Sequence, residues 1–262
     1  LAGLIALDFY KKSHANKQYS KDNNEKALLR ILSNSACEIK EELEILTDKI
    51  LQNNVNSSKA PYFSFAEYLL TNIEAWNIAK VIPTRTLALA QLFWLKDYSN
   101  KRESFYSRIK DEEKFGVTNN SSFRYFPASA WQTPIFVLFN SRFCETLNFV
   151  IQFVNQLIKN YVQFSLNDKD NYFKRDSGDP LLDSNNIKEI NLNIDGKEDK
   201  QYSSVDLWLA YRGMFVCPYL LQSILMALEK KLLNIAESSK KPEDICVLNR
   251  ILQKIIKESN SV

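Results

Sequence analysis

The sequence predicts a mainly α-helical protein, an irregular multi-helix bundle carrying one small β-hairpin around residues 187–202. Three observations predict it. Glycine is scarce, five in 262 residues, whereas sandwiches, barrels and dinucleotide folds spend glycine on turns and phosphate loops. Several stretches place apolar side chains at steps of three and four, the period of a helix face. Strict alternation is clear in one place, at Ile190, Leu192 and Ile194, just ahead of Asp195-Gly196, a pair suited to a tight hairpin turn.

Taken in order, the opening LAGLIALD is apolar but has no basic n-region and runs at once into Asp8 and Lys11-Lys12. It reads as a helix cut in mid-protein rather than a signal peptide. Leu28, Leu32, Ala36, Ile39, Leu43, Leu46 and Ile50 predict one long amphipathic helix over Glu25–Leu51, capped by Asp22 or Asn23. A polar break at Asn53–Lys59 precedes an aromatic-rich helical segment from Pro61 to Trp76, and Pro83 opens the next helix through Trp94. Lys101–Glu113 reads as a charged surface helix and Gly116–Ser122 as a loop. Phe143, Leu147, Val150, Val154, Leu157 and Tyr161 form one stripe, widened by Phe149 and Phe153 until little polar face is left, so that helix belongs at the centre. Asn167–Asn186, rich in Asp, Asn, Lys, Ser and Gly, reads as a mobile loop. After the hairpin come an apolar helix over Phe215–Ala236 and a last helix over Pro242–Lys257. Residues 1–119 and 120–262 are read as two helical parts, with one continuous domain as the alternative.

Composition excludes more than it assigns. Thirty-four basic and 31 acidic residues leave a net charge of +3, which gives no overall attraction to nucleic acid. Lys21, Lys26, Arg30 and the pairs Lys230-Lys231 and Lys240-Lys241 lack interleaved aromatics for base stacking and read as ordinary helix surface. Cys37, Cys144, Cys217 and Cys246 show no metal-ligand spacing and sit among apolar residues, so buried free thiols of a cytoplasmic protein are expected. No apolar run reaches the roughly 20 residues that span a bilayer.

No catalytic constellation can be read from the chain. The single histidine, His14, has no GxSxG serine to serve, and no P-loop pattern is present. Asp183 with Glu198 and Lys200 mimics a metal-dependent nuclease set, but a turn and a polar loop are poor platforms for shared carboxylates. The expectation is therefore no catalytic residue, no metal and no cofactor in this chain, which is read as a non-enzyme.

Two short segments stand apart. Residues 124–134 read RYFPASAWQTP and residues 206–218 read DLWLAYRGMFVCP, and each packs aromatics, an arginine and proline ahead of an apolar helix. Arg124, Tyr125, Trp131, Trp208, Tyr211, Arg212 and Gly213 are the candidate residues, either as corners that lock two helices or as contacts to a nucleotide or partner.

Over roughly residues 120–240 these two segments, with the Asp195-Gly196 hairpin between them, resemble part of the large bacterial STAND NTPases, the NLR-like antiphage sensors. The resemblance implies an internal, non-catalytic helical scaffold or regulatory module of such a cytoplasmic sensor. It implies ATP in a neighbouring domain, and as partners other domains of the same polypeptide, a second copy, or a phage protein, without membrane or nucleic acid. The family's ATP-binding motifs have no counterpart among these residues. The competing readings are a nucleic-acid-binding or nuclease-associated helical domain, and a stand-alone enzyme of unknown chemistry.

Overall fold

The computed structural model describes residues 1–15, 23–53, 55, 61–95, 111–167, 187–194, 197–203 and 217–259. Among them the chain is mainly helical with a single two-stranded antiparallel sheet, the fold class the glycine scarcity and periodicity predict.

Helices α1 (Ala2–Ala15), α2 (Asn23–Asn34) and α3 (Lys40–Asn53) open the chain. The helix expected over Glu25–Leu51 is thus two helices. Ser33, Asn34, Ser35 and Cys37 are weak helix formers, and the backbone there tightens into turns in which Ala36 N–H reaches Ser33 C=O and Glu38 N–H reaches Ser35 C=O. Leu32, Ala36, Ile39 and Leu43 stay buried across the break, so the apolar pattern survives although the axis changes. Glycine matters at Gly3, where α1 meets this turn. A Cβ there would lie 2.7 Å from Ser35 Cβ and 3.0 Å from Ile39 Cγ2.

The segment expected to run unbroken from Pro61 to Trp76 is also divided, into α4 (Phe63–Thr71), a 3-10 turn (Ile73–Ala75) and α5 (Trp76–Val81). Asn72 causes the division. Its backbone is extended and its side-chain oxygen accepts the Glu74 N–H at 2.9 Å, starting the new turn. Helix α6 (Pro83–Trp94) begins with Pro83, as predicted. Arg85 ties α6 to α3 through a fork to Asp48 at 2.8 and 3.0 Å and a third contact to Glu44 at 3.2 Å.

Beyond a short helix α7 (Asp111–Lys114), Val117 bridges back to Leu95. Helices α8 (Ile135–Ser141) and α9 (Phe143–Asn167) follow. Leu147, Val150, Phe153, Val154, Leu157, Ile158 and Tyr161 of α9 are buried, which bears out its central position. Its outer face is more polar than expected, because Asn148, Gln152, Gln156 and Lys159 recur at helical spacing and stay exposed. The core packs around Trp94 at the end of α6, whose ring meets Phe153 edge-on at 5.7 Å and Phe149 at 6.4 Å. One continuous apolar cluster runs from Ala6 to Ala227.

Strands β1 (Lys188–Ile194) and β2 (Lys197–Ser203) pair from Lys188 with Ser203 to Ile194 with Lys197. Asp195 and Gly196, the expected turn, lie outside the described residues, as does the expected mobile loop Asn167–Asn186 except for Asn167, which ends α9. Helices α10 (Tyr219–Ser238) and α11 (Pro242–Glu258) close the fold. Buried Gln201 of β2 donates to Ile256 C=O at 3.1 Å and Asn155 of α9 donates to Glu258 C=O at 2.6 Å, so the carbonyl end of α11 is held by two side chains.

The cysteines correct an expectation. All four are free thiols, but only Cys217 is buried, while Cys37, Cys144 and Cys246 are exposed. Cys144 and Cys246 stand on the outer sides of α9 and α11 and Cys37 in the turn after α2, positions that apolar neighbours in sequence do not reveal.

In most helices alanine is favoured over glycine by about 1 kcal/mol. At Gly3 the collision with Ser35 reverses that order, and Gly3→Ala is expected to destabilise the chain by about 1–3 kcal/mol in denaturant unfolding. Adding Ser35→Gly, which removes the opposing Cβ, should recover part of the loss.

Candidate functional site

The first aromatic segment folds into a tight corner between α6 and α8. Tyr125 has a left-handed backbone with φ of 52°, a conformation that costs a non-glycine residue roughly 1–2 kcal/mol. Its side chain explains why it stays there. The buried hydroxyl accepts the Trp94 indole N–H at 2.7 Å and donates to Leu70 C=O at 3.1 Å, and the two rings meet edge-on with centroids 6.0 Å apart. Burial pushes the Tyr125 phenol well above its ordinary value, opposed in part by the Trp94 N–H. Tyr125 therefore belongs to the core, whereas its neighbour Arg124 is exposed.

The rest of the corner is stitched locally. The Phe126–Pro127 peptide is cis, Gln132 donates its side-chain amide to Pro127 C=O at 3.1 Å, and Gln132 N–H reaches Ser129 C=O at 3.1 Å. Ser129 N–H donates to Ser223 Oγ at 3.2 Å, which ties the corner to α10. Two aromatic groups remain near solvent. Trp131, 48% exposed, stacks on Trp76 of α5 at 5.9 Å and meets Phe136 edge-on at 4.3 Å. Phe126, 69% exposed, packs edge-on against Tyr219 at 4.9 Å. Trp208, Tyr211, Arg212 and Gly213 of the second segment lie outside the described residues.

A second cluster was not legible in the sequence. The fold gathers His14, Ser64 and Glu25. His14 Nε2 lies 3.2 Å from Ser64 Oγ and 3.4 Å from Glu25 Oε1, and its Nδ1 lies 3.0 Å from Tyr10 C=O. Ser64 donates to Glu25 in a very close contact and meets the Tyr10 hydroxyl at 2.9 Å. The imidazole stacks on Tyr62 at 5.1 Å, and Tyr62 is left-handed with φ of 59° directly before α4. Burial pulls His14 below the ordinary histidine value, while the Tyr10 carbonyl and Glu25 pull the other way. The order of contacts differs from a nucleophile–base–orienter chain, since the carboxylate bonds the serine and the imidazole is oriented by a backbone carbonyl. What the cluster joins is α1, α2 and α4. The one sequence signal was the spacing of Gly3, Leu7, Tyr10 and His14 along the inward face of α1.

Glu198 stands opposite Asn193 in the hairpin, Lys200 pairs with Glu189, and Asp183 is outside the described residues. Among the described residues no group of three or more His, Cys, Asp or Glu is placed to hold a metal ion, and no helix is long and apolar enough to cross a membrane. Arg30 forks to Glu74 at 2.9 and 3.1 Å, and Lys231 donates to Asn140 at 2.7 Å. No protein-family model matches the chain, and no curated protein matches it.

Tyr125→Phe strips the partner from two buried backbone or indole groups at once and is expected to cost about 1–3 kcal/mol by chemical denaturation. Arg124→Ala, on the exposed neighbour, should fall within about 0.5 kcal/mol of the parent. Alkaline pH gives an independent check. Burial also pushes the Tyr68 phenol up, to about 12. Unfolded phenols ionise near ~10 while these two hold their protons, so the folded state binds more protons above that pH. Stability is then complete below pH ~10 and falls as pH rises beyond it. A pH series of unfolding midpoints should show this fall, made shallower by Tyr125→Phe.

Proposed function

We propose that this chain is a helical scaffold or regulatory module of a larger cytoplasmic protein of the STAND NTPase class, working through contacts with other parts of that protein rather than through chemistry of its own. The observation that carries this reading is α11. It is a 17-residue helix with its charges on one side, yet none of its residues is buried. Leu248, Ile251 and Ile255 are half-covered, but Ile245, Leu252 and Ile256 form an exposed stripe, with Ile256 59% exposed.

Helix α1 supports the same reading. Ala6, Leu7 and Tyr10 face inward and are buried, and the opposite face carries Leu1, Leu4, Ile5 and Phe9, all exposed. A helix apolar on both faces is suited to lie between two bodies. Phe126 and Trp131 add aromatic surface of the kind enriched in protein contacts. The STAND assignment rests on the RYFPASAWQTP and DLWLAYRG segments. ATP would then be held by a neighbouring domain, with a phage protein as the sensed target.

The test compares the isolated chain with the longer polypeptide that the reading requires. Hydroxyl-radical footprinting should show Phe9, Ile245, Leu252 and Ile256 protected only in the longer protein. Ile245→Glu with Leu252→Glu should leave the melting of the isolated chain unchanged while abolishing the response of the longer protein to its target. Equal labelling of these residues in both contexts defeats the proposal.

A further inference from the structure

Two tyrosines hold left-handed backbones, Tyr125 at φ of 52° and Tyr62 at φ of 59°. Such a conformation is costly for a side chain of this size and persists only where the surroundings fix it. At Tyr125 the fixing contacts lie in the centre of the molecule, on the Trp94 indole and the Leu70 carbonyl. At Tyr62 they lie at the periphery. Its carbonyl accepts the Phe65 and Ala66 N–H groups at 3.1 and 3.4 Å, bonds that any residue can supply, and its side chain makes no capping bond to α4. The ring instead meets α1, stacked on His14 at 5.1 Å and tilted against Tyr10 at 6.0 Å.

Helix α1 stands between two environments. Its inward side buries Ala6, Leu7 and Tyr10, with Gly3 seated against Ser35 and Ile39 and the Tyr10 ring 6.5 Å from Phe65. Its outward side leaves Leu1, Leu4, Ile5 and Phe9 exposed. Ser64, in the first turn of the helix that Tyr62 opens, meets both the Tyr10 hydroxyl and His14 Nε2. The strained residue and these polar contacts to α1 therefore occupy three consecutive positions of the chain, and the backbone at Tyr62 sets where all of them point.

We infer that α1 and Tyr62 form a two-state clasp. With α1 docked, the ring contacts hold Tyr62 left-handed. With α1 released, Tyr62 relaxes to an ordinary backbone, and the strain recovered offsets part of the burial that is lost. Helix α1 therefore opens before the core does, baring its inward face and its seat at Ser35, Ile39 and Phe65. A neighbouring body shifts this equilibrium only by binding the released α1 better than the docked one, as a groove that takes both of its apolar faces does. That last step rests on the module reading above, whereas the clasp is a property of this chain alone.

Native-state amide exchange on the whole chain tests the clasp with no partner present. Exchange of the α1 amides is followed by NMR beside that of α9, and α1 is expected to open separately and more often. Tyr62→Ala and Tyr62→Gly both remove the ring, but only glycine accepts the left-handed backbone without strain. The α1 opening constant should be roughly five- to thirty-fold larger in Tyr62→Ala than in Tyr62→Gly, the factor that one left-handed residue carries. If the α1 amides of the parent exchange only together with those of α9, the inference is overturned, since α1 then has no opening of its own. Equal α1 opening in the two variants, whether docked in both or released in both, overturns it as well, because Tyr62 then does not relax when α1 leaves.

Discussion

Trp94 and Tyr125 are both buried, and each takes a polar group with it into the interior. An indole N–H or a phenol buried without a partner costs on the order of 1–3 kcal/mol, so the core tolerates these rings only in an arrangement that satisfies both. The arrangement found is a relay, indole to phenol to the Leu70 carbonyl, that links the last turn of α6, the corner after Phe123 and the last turns of α4. Much else is placed by it. The left-handed backbone of Tyr125 turns the chain into Pro127, the corner reaches α10 at Ser223, and Phe149 and Phe153 of α9 close over the Trp94 ring.

Away from that centre, polar side chains among the described residues tie one helix to another. Arg85 holds α6 to α3, the His14 cluster holds α1, and Asn155 and Gln201 hold α11. Apolar surface is then left over on α1 and α11 rather than consumed in the core. The division suits a part whose centre is fixed and whose flanks meet something else.

Periodicity told the helices apart from the hairpin and found α6, α9 and α11 nearly to their ends, because each has an apolar face long enough to show its period. It failed at Ser33–Cys37 and at Asn72. Ser33 Oγ donates to Glu74 C=O while the Asn72 side chain takes Glu74 N–H, so the two breaks meet in space at a residue distant from the first in sequence. The Ser33 hydroxyl does not announce such a partner in a linear reading. The histidine cluster was hidden in the same way, since Glu25 and Ser64 lie 11 and 50 residues from His14. Of the candidate residues, Tyr125 lies in the core, Trp131 is half in and half out between α5 and α8, and Arg124 faces solvent.

Helix α11 is gripped by side chains at its last turn and joined to α10 through residues 239–241 at its first. Asn155 and Gln201 grip its last carbonyls, and its first two turns carry Ile245, Cys246 and Val247 in the open. Seventeen residues make a rod of about 25 Å. Over that length a tilt of about 5° moves one end by about 2 Å relative to the other. A push at Ile245 passes to α10 through residues 239–241 and to the hairpin through Gln201, so both elements feel what touches the start of α11.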